Sequence, residues 1–141
     1  MSLLKGFNVA GSGLLAQSSR LNTVASNMAN AETAATTEDQ VYKARKVVFE
    51  SEMSSLSGTR AKSSVGVNVK EVVLSDQPTK RVYNPSHPMA DNEGYIFMPN
   101  VDMAEEMVEM ISTSRSYQMN AEVMNTSKQL MLKTLAMGEG S

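Results

Sequence analysis

Residues 103–135 read MAEEMVEMISTSRSYQMNAEVMNTSKQLMLKTL and decide the fold, because a mostly apolar position recurs in them at alternating steps of three and four. That alternation is typical of the seam of a left-handed coiled coil. It predicts a helix of about 36 residues, roughly 54 Å long at about 1.5 Å per residue. The seam consists of Met103, Met107, Met110, Ser114, Tyr117, Ala121, Met124, Lys128, Met131 and Leu135.

Terminal signals mark both ends of this predicted helix. Asp102, with Glu105 three places on, is typical of an N-cap and its capping-box partner. Gly138 can close the other end in a left-handed conformation. Glutamates crowd the first turns and lysines stand toward the last turns, as the helix dipole prefers. We therefore predict a single helix across this segment.

The beginning of the chain repeats the alternation over about 25 residues, which corresponds to a helix of roughly 38 Å. Gly6, Gly11 and Gly13 fall beside this first seam. Each glycine costs about 1 kcal/mol relative to alanine in a helix interior, while it allows another backbone to approach closely. We therefore do not expect this helix to stand unaided. Its seam consists of Phe7, Ala10, Leu14, Gln17, Leu21, Val24, Met28 and Ala31.

The middle of the chain lacks helical signals. All four prolines lie between residues 78 and 99, and proline is the residue that most strongly breaks helices. Stretches rich in valine and aromatic residues predict short strands at 42–49, 66–74 and 95–98. Small polar residues at 31–40 and 51–64 predict mobile connectors.

These patterns together predict an α+β chain whose two terminal helices pair as a coiled coil. The predicted segments are an N-terminal helix at 1–33, a β-rich and loop region at 34–100, and a C-terminal helix with a short tail at 101–141. The helices of 1–33 and 101–141 would form one helical core.

Charged residues are scarce on both predicted helices. Between residues 6 and 31 Arg20 is the only charged residue, and between 111 and 127 only Arg115 and Glu122 are charged. A helix with a wet face normally displays charges there, whereas neutral polar side chains are tolerated inside crowded protein when they have partners. Both helices are therefore expected to be covered on all sides. Further apolar residues outside the second seam imply more than one neighbour: Val108, Ile111, Val123, Leu130 and Leu132.

Composition excludes several classes of function. A formal net charge of -2 gives no electrostatic footprint for nucleic acid, and no direct lipid binding is expected. Cysteine is absent, so thiolate chemistry and cysteine-ligated metals are excluded. No stretch reaches the roughly 18 apolar residues of a membrane span, and no cleavable secretion signal is evident.

Sharper chemical interpretations are weak. His87 with Asp91 and Glu93 could be drawn as a metal site, but three such residues in a proline-rich turn lack helical ligand spacing. The single histidine is better explained by a role in shaping that turn. We predict no catalytic, cofactor-binding or metal-binding residues and no cofactor, and therefore a protein that is not an enzyme.

Several short stretches resemble a known superfamily. Residues 26–33 read SNMANAET, which is similar to the Asn-hydrophobic-Ala-Asn signature of flagellar rod and hook proteins. Residues 83–88 (YNPSHP), 114–118 (SRSYQ) and 129–135 (QLMLKTL) narrow the resemblance to the proximal rod proteins over nearly the whole chain.

The resemblance implies a structural subunit of the proximal rod, part of the drive shaft that transmits torque in the bacterial flagellar basal body. The implied location is the periplasm, after export without cleavage of a signal peptide. Implied partners are other proximal and distal rod subunits, the adaptor between rod and membrane ring, and the flagellar type III export apparatus. The resemblance also implies terminal helices that are commonly disordered before assembly, for which the scarce charges and the glycines give a physical reason.

Two other classes of function stay open at this stage: a soluble coiled-coil adaptor or export chaperone, and a small enzyme. The rod subunit is preferred because a soluble coiled coil does not explain the missing charges, and because the sequence offers no candidate for the ligand pocket that an enzyme needs. The residues expected at the assembly interface are Leu14, Leu21, Val24, Asn27, Met28, Asn30, Met110, Tyr117, Met124, Met131 and Leu135.

Overall fold

The computed structural model of the chain describes residues 2–54 and 63–139. Helices α1 (Ser2–Asn30) and α2 (Met103–Glu139) stand at the two ends of the described sequence. This arrangement of two long helices around a β-rich middle confirms the predicted α+β class. The strands between them are β1 (Arg45–Ser54), β2 (Ser63–Leu74), β3 (Lys80–Tyr83) and β4 (Tyr95–Met98).

The start of α2 matches its prediction and the end does not. The Asp102 carboxylate accepts hydrogen bonds from the backbone N–H of Ala104 at 2.9 Å and of Glu105 at 3.3 Å, which makes Asp102 the N-cap. The predicted C-cap at Gly138 is wrong, because α2 continues through this residue to Glu139. Glycine permits the left-handed conformation without requiring it, and Gly94 is the glycine with positive φ among the described residues.

The chain forms two compact units. The Asn27 unit, named for its central buried residue, comprises Arg20–Val47 and Val72–Ile111. The Ser12 unit comprises Met1–Ser19, Val48–Glu71 and Ser112–Ser141, within the limits of the described residues. Each unit therefore takes part of each helix, and the predicted boundaries at 33/34 and 100/101 stay a prediction.

The four strands form two small sheets. β1 and β2 are neighbours in one of them, which has two strands. β3 and β4 pair antiparallel in the other, from Lys80 opposite Met98 to Tyr83 opposite Tyr95. On the far side of β4, the backbones of Ala35 and Phe97 exchange two hydrogen bonds of 2.9 and 3.0 Å.

Several predictions for the middle region need correction. The predicted strand at 42–49 begins at Arg45 and continues to Ser54, and β3 was not predicted. The connector predicted at 31–40 is anchored at Ala35 by its bonds to Phe97. Of the connector predicted at 51–64, the two ends belong to β1 and β2, and 55–62 lie outside the described residues.

The turn between β3 and β4 is shaped by its own side chains. The Asp91 carboxylate accepts the backbone N–H of Glu93 and of Tyr95, each at 2.9 Å. The hydrogen bond from Tyr95 is the main cause that lowers the pKa of Asp91. Gly94 adopts φ of 81°, where a side chain would be strained. His87 Nδ1 accepts the N–H of Met89 at 3.1 Å, which supports the predicted role of this histidine in shaping the turn.

Candidate assembly surfaces

Asn27 is a fully satisfied hydrogen-bonding centre with only 1% of its surface exposed. Its Nδ2 donates to the backbone carbonyl of Arg45 and to Oε1 of Glu106, both at 2.9 Å. Its Oδ1 accepts the Tyr42 hydroxyl at 2.8 Å and the Arg45 backbone N–H at 3.0 Å. Two donors and two acceptor positions are all that an asparagine amide offers. One side chain of α1 thus connects α1, the start of β1 and the first turn of α2.

A second buried asparagine holds the neighbouring backbone. Asn100 Oδ1 accepts the N–H of Ala44 at 2.7 Å, and its Nδ2 donates to the carbonyl of Gln77 at 2.7 Å. The consecutive amides of Ala44 and Arg45 are therefore both bound by asparagine side chains. Burying backbone N–H groups is costly unless they are hydrogen-bonded. The backbone at the start of β1 is therefore held by side chains that lie far away in the sequence.

Charged contacts flank the Asn27 centre. Arg20 Nε lies 2.6 Å from Oε1 of Glu109, which joins α1 to α2. Burial raises the pKa of the Glu106 carboxyl, and the hydrogen bond from Asn27 opposes that shift. Arg20 contacts Glu109, and Asn27, which comes later in α1, contacts Glu106, which comes earlier in α2. The two helices are therefore antiparallel within the Asn27 unit.

On α1, three residues in contact with α2 stand one position before the predicted seam residues Leu14, Leu21 and Met28, while the seam residues Ala10 and Val24 are buried. These three contacts are made by Gly13, Arg20 and Asn27, which recur once per heptad. A Cβ built on Gly13 would lie 3.0 Å from Nδ2 of Asn120 in the Ser12 unit. The apolar seam positions beside these three residues remain partly exposed: Leu14, Leu21 and Met28.

On α2 a row of polar residues one position before part of the predicted seam is also covered. The heptad row of Glu106, Thr113, Asn120 and Ser127 is buried or half-buried, and Thr113 is only 1% exposed. The seam predicted from the sequence was instead formed by two rows: Met107, Ser114, Ala121, Lys128 and Leu135, together with Met103, Met110, Tyr117, Met124 and Met131. Polar side chains of α2 thus lie at the helix contacts seen in each unit, Glu106 and Glu109 in the Asn27 unit and Asn120 in the Ser12 unit, and the heptad pattern alone did not reveal this.

The β1–β2 sheet lies against α1 at a glycine. Ser12 Oγ accepts the backbone N–H of Val67 at 3.1 Å and donates to the carbonyl of Val9 at 2.8 Å. A Cβ on Gly66 would lie 2.7 Å from Ser12 Oγ, which is closer than real Cβ atoms approach. Gly66 therefore lets this strand approach α1 closely.

The comparisons with known proteins agree on one family. A sequence model described as "Flagella basal body rod protein" matches residues 7–34, and one described as "Flagellar basal body rod FlgEFG protein C-terminal" matches residues 92–137. The chain is 48% identical over 139 residues to the flagellar basal-body rod protein FlgC of Escherichia coli O157:H7, with 99% of this chain and 100% of the relative covered. The chain belongs to the FlgC family of flagellar basal-body rod proteins.

Two further FlgC relatives show the range of the family. FlgC of Salmonella typhimurium is 48% identical over 139 residues, and FlgC of Borreliella burgdorferi is 34% identical over 152 residues. In both comparisons 99% of this chain and 100% of the relative are covered. The two family matches contain Asn27 and Glu106, so the hydrogen bond between these residues joins the two matched regions.

The motif that resembles the rod signature has a clear structural role in this FlgC-family chain. Its first asparagine, Asn27, is the buried centre described above. Its second, Asn30, donates from Nδ2 to the carbonyl of Ser26 at 2.8 Å at the last turn of α1. The sequence marked these residues only by resemblance, because the partners of Asn27 lie far away along the chain.

The predicted interface residues fall into three groups. Val24 and Asn27 are buried within the chain's own fold, so they are not free for a neighbour. Tyr117 and Leu135 are exposed. The remaining residues are half-buried: Leu14, Leu21, Met28, Asn30, Met110, Met124 and Met131.

Outside the predicted interface, α2 carries a further apolar surface. The five residues that the sequence placed outside the seam are all exposed: Val108, Ile111, Val123, Leu130 and Leu132. These five residues are therefore not covered by the chain's own fold.

The FlgC-family chain also has a charged cleft of about 280 Å³ in the Asn27 unit. Arg20, Arg45 and Lys46 line it together with Glu105, Glu106 and Glu109. Arg20 is paired with Glu109, and Glu106 accepts the Asn27 amide. Charged residues that line the cleft therefore connect α1 to α2. Among the described residues no group of three metal-ligating side chains is found, and neither helix has an apolar stretch suited to crossing a membrane.

Proposed function

We propose that this chain is a structural subunit of the flagellar basal-body rod and that it polymerises through α1 and α2. The proposal rests on which residues of α1 and α2 are covered within the chain and which stay exposed. Asn27 and Gly13 of α1 contact Glu106 and Asn120 of α2 within the chain, whereas the apolar seam residues that follow them, including Leu14 and Met28, stay partly exposed. Apolar surface left over after a chain has folded is available to neighbouring molecules.

The half-buried apolar residues of the helices can supply the free energy of assembly. Burying a leucine or methionine side chain stabilises a contact by about 1.5–3 kcal/mol. Leu14, Leu21 and Met28 on α1 each retain part of that contribution, because they are only half-buried in the single chain. Several such residues on each helix supply enough for repeated contacts between subunits. The neutral polar residues around them can enter those contacts if they find hydrogen-bond partners.

The geometry suits an open array. A contact between different surfaces of two copies generates a helical filament when the rotation does not close into a ring. The exposed apolar residues of α2, including Val108, Ile111 and Val123, differ in position from the partly buried seam. Each subunit therefore offers more than one helix surface to its neighbours, as a tubular rod requires.

The finer parts of the proposal concern location and partners. We place the subunit in the proximal rod, in the periplasm, where it would help transmit torque. It would reach that position through the flagellar type III export apparatus without signal cleavage. Its neighbours would be other proximal and distal rod subunits and the adaptor between the rod and the membrane ring. These points rest on the resemblance of the chain to rod proteins.

A structural role also accounts for the chemistry of the chain better than catalysis does. The ionisable groups of the cleft, such as Arg20 and Glu106, bond to other residues of the same fold. The relatives reported above are named as rod proteins, and no finding favours the adaptor or export chaperone.

The decisive experiment introduces a charge at the partly buried seam. In a motile strain that depends on this chain for its rod, Leu21→Glu or Met124→Glu should block incorporation, because an unpaired charge is costly to bury between subunits. The measurement is the amount of the chain in isolated basal bodies, together with swimming. Val82→Glu, at an exposed position of β3, is the matched control and should assemble normally.

Failure to assemble supports the proposal only if the Leu21→Glu and Met124→Glu variants still fold. Amide exchange of Arg45 should remain slow in both helix variants, because the Asn27 bonds are untouched. Intact rods and normal swimming in both variants would refute packing through these helix faces.

A further inference from the structure

Strand β3 has an outer edge that the described part of the chain does not cover. It pairs with β4 on one side only, in a sheet of two strands. All four residues of β3 are exposed, Val82 by 43% and Tyr83 by 63%. An unpaired strand edge is a template on which another strand can pair.

The hydrogen bonds of β4 show which backbone groups of β3 point outward. The N–H and C=O of Phe97 both bond to Ala35, on the side of β4 that faces away from β3. Arg81 stands opposite Phe97. Because opposite residues of antiparallel strands alternate between bonded and non-bonded pairs, the N–H and C=O of Arg81 also point away from β4, as do those of Tyr83 two residues later. Within the described ranges no hydrogen bond reaches these four groups.

The side chains of the two outward-bonding residues are already held in place. The guanidinium carbon of Arg81 lies 4.0 Å from the centre of the Tyr95 ring, and Nη2 of Arg81 lies 2.9 Å from Oε2 of Glu93. The ring centre of Tyr83 lies 5.1 Å from that of Tyr95 in an edge-to-face contact. Side chains that are ordered before binding lose less conformational freedom when they bind.

The sequence of β3 is complementary to itself when the second strand runs in the opposite direction. If Arg81 of one copy stands opposite Tyr83 of another, the outward groups of both residues meet, and each such pair exchanges two hydrogen bonds. The guanidinium then lies beside an aromatic ring, which attracts it. Val82 meets Val82 of the other copy in the centre, on the other face of the sheet.

The neighbouring registers are less favourable. A shift in one direction sets Arg81 opposite Arg81, and like charges directly opposite each other destabilise a strand pair. A shift in the other direction sets Arg81 opposite Pro85, which has no N–H to donate. The arrangement of a cation, an apolar residue and an aromatic residue in β3 therefore selects a second β3 as the partner and fixes its register.

We propose that β3 pairs antiparallel with β3 of a second copy, with Arg81 opposite Tyr83, and that this contact joins two chains into a dimer. The two small sheets then become one sheet of four strands, which is more stable than a sheet of two. The contact uses the same surface of both copies, so it closes on itself and does not continue into a filament. The dimer is therefore a state of the chain outside the rod, and neither α1 nor α2 takes part in the contact.

Single cysteine variants test the register, since the chain has no cysteine of its own. In the proposed pairing the two Val82 Cα atoms face each other at about 4.5 Å, which a disulfide can bridge. The two Lys80 residues are four positions apart along the strands, or about 13 Å. Under mild oxidation the purified Val82→Cys chain should form covalent dimers at least about tenfold faster than Lys80→Cys, the matched control in the same exposed strand.

Light scattering of the purified full chain over a range of concentrations measures the dimer without a cross-link. Val82→Glu sets two carboxylates opposite each other and should raise the dissociation constant at least about tenfold. Val72→Glu, at an exposed valine of β2, is the matched control and should leave the constant unchanged. Amide exchange of Asn84, whose N–H donates to the carbonyl of Gly94 at 2.9 Å, checks that the turn between β3 and β4 is intact in each variant.

Three results would each overturn the pairing. They are an unaltered chain that stays monomeric at every concentration, a dimer that survives Val82→Glu, and equal rates of cross-linking in Val82→Cys and Lys80→Cys. The first result is also the one expected if β3 pairs with a different protein. None of them bears on the proposed function, because Val82→Glu should enter the rod normally.

Discussion

Replacing Asn27 by aspartate exchanges one NH2 group of the buried centre for a carboxylate oxygen and changes little else. The two side chains have the same shape, and the oxygen that accepts the Tyr42 hydroxyl and the Arg45 N–H is kept. The two N–H donors are lost, so the Arg45 carbonyl and the Glu106 carboxylate lose their partner. The new carboxylate also faces Glu106.

The cost can be worked out from these bonds. Losing the bond to the neutral carbonyl costs about 1 kcal/mol, and losing the bond to a carboxylate costs about 1.5–3 kcal/mol. Repulsion between the two carboxylates adds to this, but Glu106 is half-buried and can turn toward water, which screens the repulsion. We expect a local destabilisation of about 3 kcal/mol, which corresponds to roughly a hundredfold in the opening equilibrium.

Amide hydrogen exchange of Arg45 is the assay, because this N–H is bound directly by Asn27. Protection should fall by roughly a hundredfold in Asn27→Asp at pH 7. The matched control is Asn22→Asp, the same substitution at an exposed position of α1, which should leave protection unchanged. Unchanged protection in Asn27→Asp would refute the role of this residue as the joint between α1 and β1.

The variant should also respond to pH in a defined direction. Burial already raises the pKa of Glu106, and a second carboxylate beside it favours the protonated form further. The folded state then binds more protons than the unfolded state, so stability rises as pH falls through the raised pKa. The protonated carboxyl can donate to its neighbour and restore one lost bond. Protection in Asn27→Asp should therefore recover in part between pH 7 and pH 4, and a further loss would contradict the account.

Gly66→Ala should destabilise the Ser12 unit by about 1–3 kcal/mol in denaturant unfolding, and adding Ser12→Ala should relieve part of the loss, because the new Cβ meets Ser12 Oγ at 2.7 Å. Gly13→Val should lower the helix content of the free chain, whereas Gly11→Val should leave it nearly unchanged but reduce rod incorporation, since a Cβ at Gly11 meets nothing within 4 Å; equal effects on the free chain would count against the contact face assigned to α1. Backbone hydrogen bonds lower the pKa of Asp91, so their stabilisation of the turn is present above the ordinary pKa of 3.8 and is lost as pH falls through the lowered value, which amide exchange in the turn can follow against an Asp91→Asn control.

The helices were predictable because their periodicity is long and uninterrupted. Heptad spacing identifies two helical segments without knowledge of the residues that pack against them. Asp102 marks the start of α2 because its hydrogen bonds are to residues nearby in the sequence. The end of α2 was not predictable from Gly138, because a glycine is compatible with both helix and cap.

The strands were less predictable because their stability comes from distant partners. All four residues of β3 (Lys80–Tyr83) are exposed, so the segment has no alternation of buried and exposed positions. It is a strand because β4 pairs with it. The segment around Ala35 is fixed in a similar way by Phe97, from which it is widely separated in sequence.

The candidate surfaces show what periodicity omits. The heptad pattern is recognised from apolar residues, so it selected rows such as Leu14, Leu21 and Met28. Contact within the chain uses Gly13 and Asn27, which sequence analysis could not rank without knowing where Asn120 and Glu106 lie. That the apolar row serves assembly stays a prediction, because the pattern did not distinguish a partner within the chain from a partner in another chain.

The hydrogen bonds from Ala44 and Arg45 to two asparagine side chains determine how the base of β1 responds to acid and salt. An amide side chain does not titrate, and its hydrogen bonds to backbone groups join neutral partners, so neither acid nor salt weakens these bonds as they weaken an ion pair. The backbone at the base of β1 is held by Asn27 and Asn100 in this way. We expect its geometry to persist through swings in ionic strength that would loosen the Arg20–Glu109 contact beside it.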